Sequence, residues 1–163
     1  MVSGSSFATP DNPLIIADEN RMAVTTHPLA DMDGQAILDS GGNAIDATVA
    51  VGYALAVVHP QAGNIGGGGF AIIHTADGKD YALDLREMAL GAATRDMYLD
   101  ESGNVIPLES TRTYEATGIP GTVAGMSAML DRFGTKNSER LWQWLLSLRR
   151  KATSSQSVKP GQW

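Results

Sequence analysis

The stretch His59-Pro-Gln-Ala-Gly-Asn-Ile-Gly-Gly-Gly-Gly-Phe70 is the most informative part of the chain, because it joins an apolar helical pattern to a strand pattern. Four consecutive glycines lose more backbone entropy on folding than any other tetrapeptide, so the run predicts positive φ angles or a very close approach of another backbone. A phosphate-binding loop runs from a strand through glycines into a helix. Here the order is helix, glycines, strand, and the spacing of Gly63, Gly66 and Gly69 does not match the dinucleotide pattern. The sequence therefore disfavours a nucleotide site.

Helical patterns stand on both sides of this stretch. Apolar residues three to four apart predict a helix over residues 29–40. Asn43 can cap the next helix, over residues 44–58, which is apolar on nearly every side and is expected to be buried. A last helix is predicted over residues 122–133, before Gly134.

Strand patterns complete the set of elements. Residues 70–74 and 81–85 alternate around the pair Asp77-Gly78, which predicts a β-hairpin. The β-branched content of residues 22–26 predicts a further short strand. Together these elements indicate an α/β (α+β) protein with an antiparallel sheet under a helical layer.

Composition limits the function classes. A length of 163 residues predicts one compact domain, and a formal charge of -6 argues against a nucleic-acid partner. The chain has no cysteine, which excludes a disulfide or a thiolate metal site, and His27, His59 and His74 lack the spacing of a zinc site. No metal and no cofactor are expected. No apolar run reaches the length of a membrane span, and residues 1–13 lack the pattern of a secretory signal.

The charge is divided unevenly along the chain. Residues 1–135 hold six basic and 17 acidic side chains, whereas residues 136–163 hold six basic and one acidic, together with all three tryptophans. An amphipathic basic helix with aromatic residues suits a membrane surface or a partner, although a solvated helix end has the same composition.

Arg86 is the candidate binding residue. It follows the alternating segment 81–85 and shares a strand face with Asp84. A guanidinium at that place could bind a carboxylate through two parallel hydrogen bonds. A surface salt bridge to Asp84 or Glu87 is the alternative, and from the residues alone it is favoured. The other residue types of interest form no catalytic set by their spacing: His59, His74, Thr25, Thr26 and Thr111.

Five segments in this order resemble the γ-glutamyltranspeptidases, and the resemblance covers residues 21–135. The segments are Gly41-Gly-Asn-Ala-Ile-Asp-Ala47, Val51-Gly-Tyr-Ala-Leu55, the glycine stretch above, Leu85-Arg-Glu-Met-Ala89 and Gly118-Ile-Pro-Gly-Thr-Val-Ala-Gly125. The resemblance implies a partial N-terminal-nucleophile hydrolase fold, an αββα sandwich. It also implies that a threonine at the start of a small subunit attacks the γ-glutamyl amide of glutathione.

For the site, the resemblance implies that Arg86 holds the α-carboxylate of the γ-glutamyl group and that the glycine run is a structural element. It implies no catalytic residue within this chain, since the nucleophile belongs to the small subunit. Family members usually have proline where this chain has Leu90, so the loop after Arg86 departs from the pattern. Family members are commonly periplasmic or extracellular. A related acylase fragment and a non-catalytic carboxylate-binding or tail-mediated interaction protein are the alternatives.

The resemblance also divides the chain. Residues 1–20 are interpreted as an N-terminal extension, residues 21–135 as a large-subunit fragment and residues 136–163 as a non-family tail. Degenerate codons for the tail permit another reading frame with a family-like amphipathic helix. The sequence therefore leads to the hypothesis of a frameshift near Lys136 and of a chain that is inactive alone.

Overall fold

The structure, a computed structural model, describes residues 21–135, so the interpretations of residues 1–20 and 136–163 lie outside the described residues. The chain divides into two compact units. Among the described residues, the first unit comprises residues 21–64 and 127–135, and the second comprises residues 65–126.

Two helices build the first unit, α1 (Pro28–Asp39) and α2 (Ala44–Val58), and both predicted helices are confirmed. They pack on each other so closely that a Cβ at Gly34 would lie 2.7 Å from Val51 Cγ2. The side chain of Asn43 accepts hydrogen bonds from the N–H groups of Ile45 and Asp46, as predicted for a cap. The apolar core of this unit comes mainly from the two helices: Ala30, Ile37, Leu38, Ile45, Ala47, Val49, Ala50 and Ala54.

The prediction of a strand over residues 22–26 is wrong. This segment has no strand structure, and Met22 and Val24 are exposed. The Thr25 hydroxyl accepts a hydrogen bond from the N–H of His27 at 3.1 Å, a local turn that replaces a ladder bond. His27 then caps α1, because its ring accepts from the N–H of Leu29. These local bonds, rather than a sheet, satisfy the backbone here.

The second unit contains the predicted hairpin, with β1 (Phe70–His74) antiparallel to β2 (Asp80–Asp84). Strand β2 begins one residue earlier than predicted. Gly78 in the connecting turn has a φ of 80°, which explains why glycine follows aspartate there. The register pairs Phe70 with Asp84, at the end of the hairpin away from the turn.

The remaining elements are α3 (Glu109–Arg112), a 3-10 turn (Tyr114–Ala116) and α4 (Thr122–Phe133). Helix α4 has the predicted bounds, begins in the second unit and ends in the first. The sequence did not predict α3 or the 3-10 turn, since neither has a clear apolar period. Among the described residues, no helix is long and apolar enough to cross a membrane.

Candidate functional site

The glycine run and the segment that carries Arg86 lie side by side in the second unit. The β1–β2 ladder continues past its named ends, because the N–H of Leu85 donates to the carbonyl oxygen of Gly69 at 2.9 Å. The N–H of Gly69 donates to the carbonyl oxygen of Leu85 at 3.3 Å. The run is thus a continuation of the hairpin, and it brings the glycines next to Arg86.

A third backbone segment completes this arrangement. Met88 and Ile119 exchange two backbone hydrogen bonds, at 3.0 and 2.8 Å. The N–H groups of Gly121 and Thr122 both donate to the carbonyl oxygen of Gly67, at 2.9 and 3.0 Å. The three segments, residues 67–69, 85–88 and 119–122, are therefore each hydrogen-bonded to the other two. We call this arrangement the three-segment frame.

Glycine is required where the segments of the frame meet. A Cβ on Gly68 would lie 2.6 Å from Arg86 Cα, and one on Gly121 would lie 2.5 Å from the carbonyl oxygen of Arg86. By contrast, a Cβ on Gly66 or Gly69 would have no heavy atom within 4 Å. No glycine of the run has a positive φ. Of the two explanations offered by the sequence, close backbone approach is confirmed and positive φ is wrong.

The side chain of Arg86 extends from this frame into solvent, with 64% of its surface exposed. Its Nε lies 4.0 Å from Glu87 Oε2, at the limit of an ion pair. Its guanidinium carbon lies 5.9 Å from the centre of the Phe70 ring. Within residues 21–135 the guanidinium donates no hydrogen bond, so its paired N–H groups face no acceptor in the described part of the chain.

The salt bridge between Arg86 and Asp84 that the spacing suggested is not present. Asp84 Oδ1 instead accepts the backbone N–H of Arg86 at 3.0 Å. This contact fixes the main chain of Arg86 and leaves its side chain to other partners. Of the two salt bridges suggested as the alternative, the structure shows only a weak contact between Arg86 and Glu87.

The other candidate residues have local partners. His74 Nδ1 lies 2.7 Å from Asp80 Oδ1 across the exposed hairpin, and His59 Nδ1 lies 3.4 Å from Gln61 Nε2. The hydroxyl of Thr111 donates to the carbonyl oxygen of Leu108 at 3.2 Å. Residues 21–135 contain no group of three His, Cys, Asp or Glu side chains placed to hold a metal ion.

Comparisons with known proteins show the family of this chain. The sequence profile described as gamma-glutamyltranspeptidase matches residues 31–152, about three quarters of the chain. The chain belongs to the gamma-glutamyltranspeptidase family. The structure of the gamma-glutamyltranspeptidase of Helicobacter pylori is similar, with a TM-score of 0.73 and 55% identity over 82% of this chain and 38% of that one.

Two proenzymes show the breadth of the family. The glutathione hydrolase proenzyme of Pseudomonas sp. (strain A14) is 56% identical over 126 residues, which are 77% of this chain and 22% of that proenzyme. The acylase ACY 1 proenzyme of Pseudomonas sp. (strain V22) is 43% identical over 120 residues, 70% of this chain and 22% of that proenzyme. The chain therefore spans about a fifth of each proenzyme.

Family membership confirms the expected fold class. The described helices and hairpin are part of the α/β fold of the N-terminal-nucleophile hydrolases, and the chain corresponds to part of the large subunit of a gamma-glutamyltranspeptidase. Arg86 remains the candidate from the sequence, and the structure adds a neighbour that the sequence did not single out, Phe70, whose ring faces the guanidinium. The Asp77-Gly78 pair alone gives another register: a two-residue turn there would pair Phe70 with Leu85, whereas the structure pairs Phe70 with Asp84, two residues before Arg86.

Proposed function

We propose that residues 21–135 contribute to a γ-glutamyl transferase or glutathione hydrolase, and that Arg86 binds the α-carboxylate of the γ-glutamyl group of glutathione. The observation that supports this role is the open guanidinium of Arg86 on a backbone held by the three-segment frame. The family and the glutathione hydrolase proenzyme at 56% identity support the substrate class.

The chemistry of the pair favours a carboxylate ligand. A guanidinium presents parallel N–H groups that match the two oxygens of a carboxylate, and such charge-assisted bonds are stronger than neutral ones. The contact of Arg86 with Glu87 involves Nε, so the two terminal nitrogens make no ion pair or hydrogen bond within residues 21–135. A carboxylate can therefore bind at the end of the side chain.

The role of Arg86 in this proposal is binding and orientation. Holding the α-carboxylate at one end places the γ-glutamyl amide at a set distance from Arg86, where a nucleophile can attack it. The threonine of a small subunit would supply that nucleophile, as the family resemblance implies. Both the small subunit as partner and the γ-glutamyl substrate belong to the proposal.

A chimera tests the role of Arg86. The Pseudomonas sp. (strain A14) proenzyme would carry residues 21–135 of this chain in place of its aligned residues, and hydrolysis of γ-glutamyl-p-nitroanilide would be measured. We expect Arg86→Lys to raise KM at least about tenfold, since a lysine cannot donate the paired bonds. Arg95→Lys is the matched control, because Arg95 is exposed in the same unit and its one ion pair within residues 21–135 is with Asp96, at 3.9 Å. An unchanged KM for Arg86→Lys in an active chimera would contradict the role.

The acylase is the second candidate, supported by 43% identity to the acylase ACY 1 proenzyme. The same chimera separates the two classes. Hydrolysis of glutathione supports the first candidate, whereas cleavage of acyl amides that lack an α-carboxylate, with glutathione left intact, supports the acylase. A non-catalytic carboxylate-binding protein would be supported by glutathione binding to the full chain together with a chimera that never cleaves its amide.

Two observations bear on residues 136–163. Composition changes at Thr135, which supports a frameshift, whereas the family match reaches residue 152. Sequencing the coding DNA decides whether the tail is frameshifted. A family-like downstream frame supports the frameshift, and the absence of such a frame contradicts it. Binding of anionic vesicles by the tail peptide would support a membrane-surface role for these residues.

A further inference from the structure

Phe70 is placed unusually for a large aromatic side chain. It is 70% exposed at the first position of β1, so the core of the second unit does not account for it. Its ring lies under the guanidinium of Arg86, with 5.9 Å between the guanidinium carbon and the ring centre. That separation lies within the range of a cation–π interaction.

The hairpin register places this ring next to a second contact on Arg86. Phe70 pairs with Asp84, and Asp84 Oδ1 accepts the backbone N–H of Arg86 at 3.0 Å. One cross-strand pair therefore contacts Arg86 twice, at its main chain through Asp84 and at its head group through Phe70. The contacts leave the terminal nitrogens of the guanidinium open.

We propose that Phe70 is a positioning residue that holds the guanidinium of Arg86 in the orientation that binds a carboxylate. An exposed arginine side chain loses much rotamer freedom when it binds, and a ring that restricts it beforehand reduces that loss. The attraction is electrostatic between the cation and the face of the ring, so it stabilises the head group without using any N–H donor. This inference rests on the proposed role of Arg86.

Glu87 does not serve the same purpose. Its carboxylate lies at 4.0 Å from Nε and carries the charge of the ligand, so it competes with a bound carboxylate rather than orienting the arginine for it. Phe70 carries no charge. It is the neighbour that can order the guanidinium and leave its binding edge unoccupied.

The first test uses the full 163-residue chain and observes the Arg86 Nε–Hε group by NMR. We expect Phe70→Leu to remove the ring-current shift of Hε and to increase the fast motion of the side chain. Phe70→Trp should keep the ring-current shift and the restricted motion of the side chain, because tryptophan provides the stronger ring face. Ile72→Leu is the matched control on the same exposed face of the hairpin, two pairs further along. Identical Arg86 signals in the Phe70→Leu and parent chains would overturn the proposal.

The second test uses the chimera and separates this inference from the function on which it rests. We expect Phe70→Leu to raise KM roughly two- to fivefold, the size of an exposed cation–π contact, with kcat nearly unchanged, and Phe70→Trp to restore KM. If Arg86→Lys raises KM and Phe70→Leu does not, the positioning role fails alone. If Arg86→Lys leaves KM unchanged, the proposed function fails and the positioning role fails with it.

Discussion

Thr135 donates two hydrogen bonds to the buried carboxylate of Asp46, one from its backbone N–H at 3.1 Å and one from its hydroxyl at 2.6 Å. The same carboxylate accepts the N–H of Asn43 at 2.8 Å, which closes the capping box of α2. The side chain of Asn43 in turn donates to the carbonyl oxygen of Phe133 at 2.7 Å. The start of α2 and the end of α4 are therefore joined within the first unit by one buried polar network.

Removing the charge of Asp46 should destabilise the chain. An asparagine presents one acceptor oxygen and an amide that itself donates, so N–H groups of the network lose their partners. We expect Asp46→Asn to lower the free energy of unfolding by about 2 kcal/mol, measured by urea unfolding followed by circular dichroism. Asp39→Asn is the control, since the Asp39 carboxylate is exposed and lies 3.7 Å from Arg21. Equal midpoints for the two variants would contradict the role of the network.

The glycines of the run should differ sharply in their tolerance of alanine. A Cβ at Gly68 would lie 2.6 Å from Arg86 Cα, so Gly68→Ala must displace backbone and should cost about 1–3 kcal/mol of unfolding free energy. Gly66→Ala has open space and should change it by less than about 1 kcal/mol. Urea midpoints of the two variants give the comparison. A Gly68→Ala chain as stable as Gly66→Ala would refute the close approach that defines the frame.

The hairpin turn depends on the left-handed backbone of Gly78. Its φ of 80° is unfavourable for a residue with a Cβ, so Gly78→Ala should destabilise the hairpin by about 1–2 kcal/mol. Gly78→Asn should recover part of that loss, because asparagine adopts this region more readily. Amide hydrogen exchange of β1 and β2 measures the effect locally. Faster exchange in the asparagine variant than in the alanine variant would argue against this account.

The same turn holds an aspartate with a lowered pKa. The side-chain hydrogen bond from Lys79, and then that from Thr75, lowers the pKa of Asp77 below its ordinary value. The contribution of this group to stability is therefore present above the unfolded pKa and is lost as the pH falls through the folded pKa. We expect Lys79→Gln to raise the pKa of Asp77, measured by NMR of its carboxyl carbon. The pKa of Asp100, which is lowered chiefly by the backbone hydrogen bond from Asn104, is the internal control and should not move.

Local rules predicted most of the elements. The Asn43 cap placed the start of α2, and the Asp77-Gly78 pair placed the hairpin, because both depend on residues within a few positions of each other. The prediction of a strand over residues 22–26 was wrong for a related reason. A strand requires a partner strand, and β-branched content does not show whether such a partner exists. The turn between Thr25 and His27 needs only residues that are close in sequence.

For the site, the sequence supplied a candidate residue that stays a prediction. Alternation along the second strand pointed to Arg86, and the family resemblance implied its role. The hydrogen-bond partner of Asp84 was not predictable. The spacing places Asp84 and Arg86 on the same strand face, but it does not distinguish a bond to the guanidinium from the observed bond to the backbone N–H. The ring of Phe70 could be placed only through the hairpin register.

The sequence alone was enough to predict the three long helices to within one residue, the hairpin turn, the family and a candidate binding arginine. These follow from short-range hydrogen bonding, from side-chain periods and from motifs that stay in order along the chain. The tertiary structure alone decided why Gly68 and Gly121 must be glycine, and that Asp46 binds Thr135. The physical reason is distance along the chain: each of these contacts joins segments many residues apart, and only folding brings their atoms within a few ångströms.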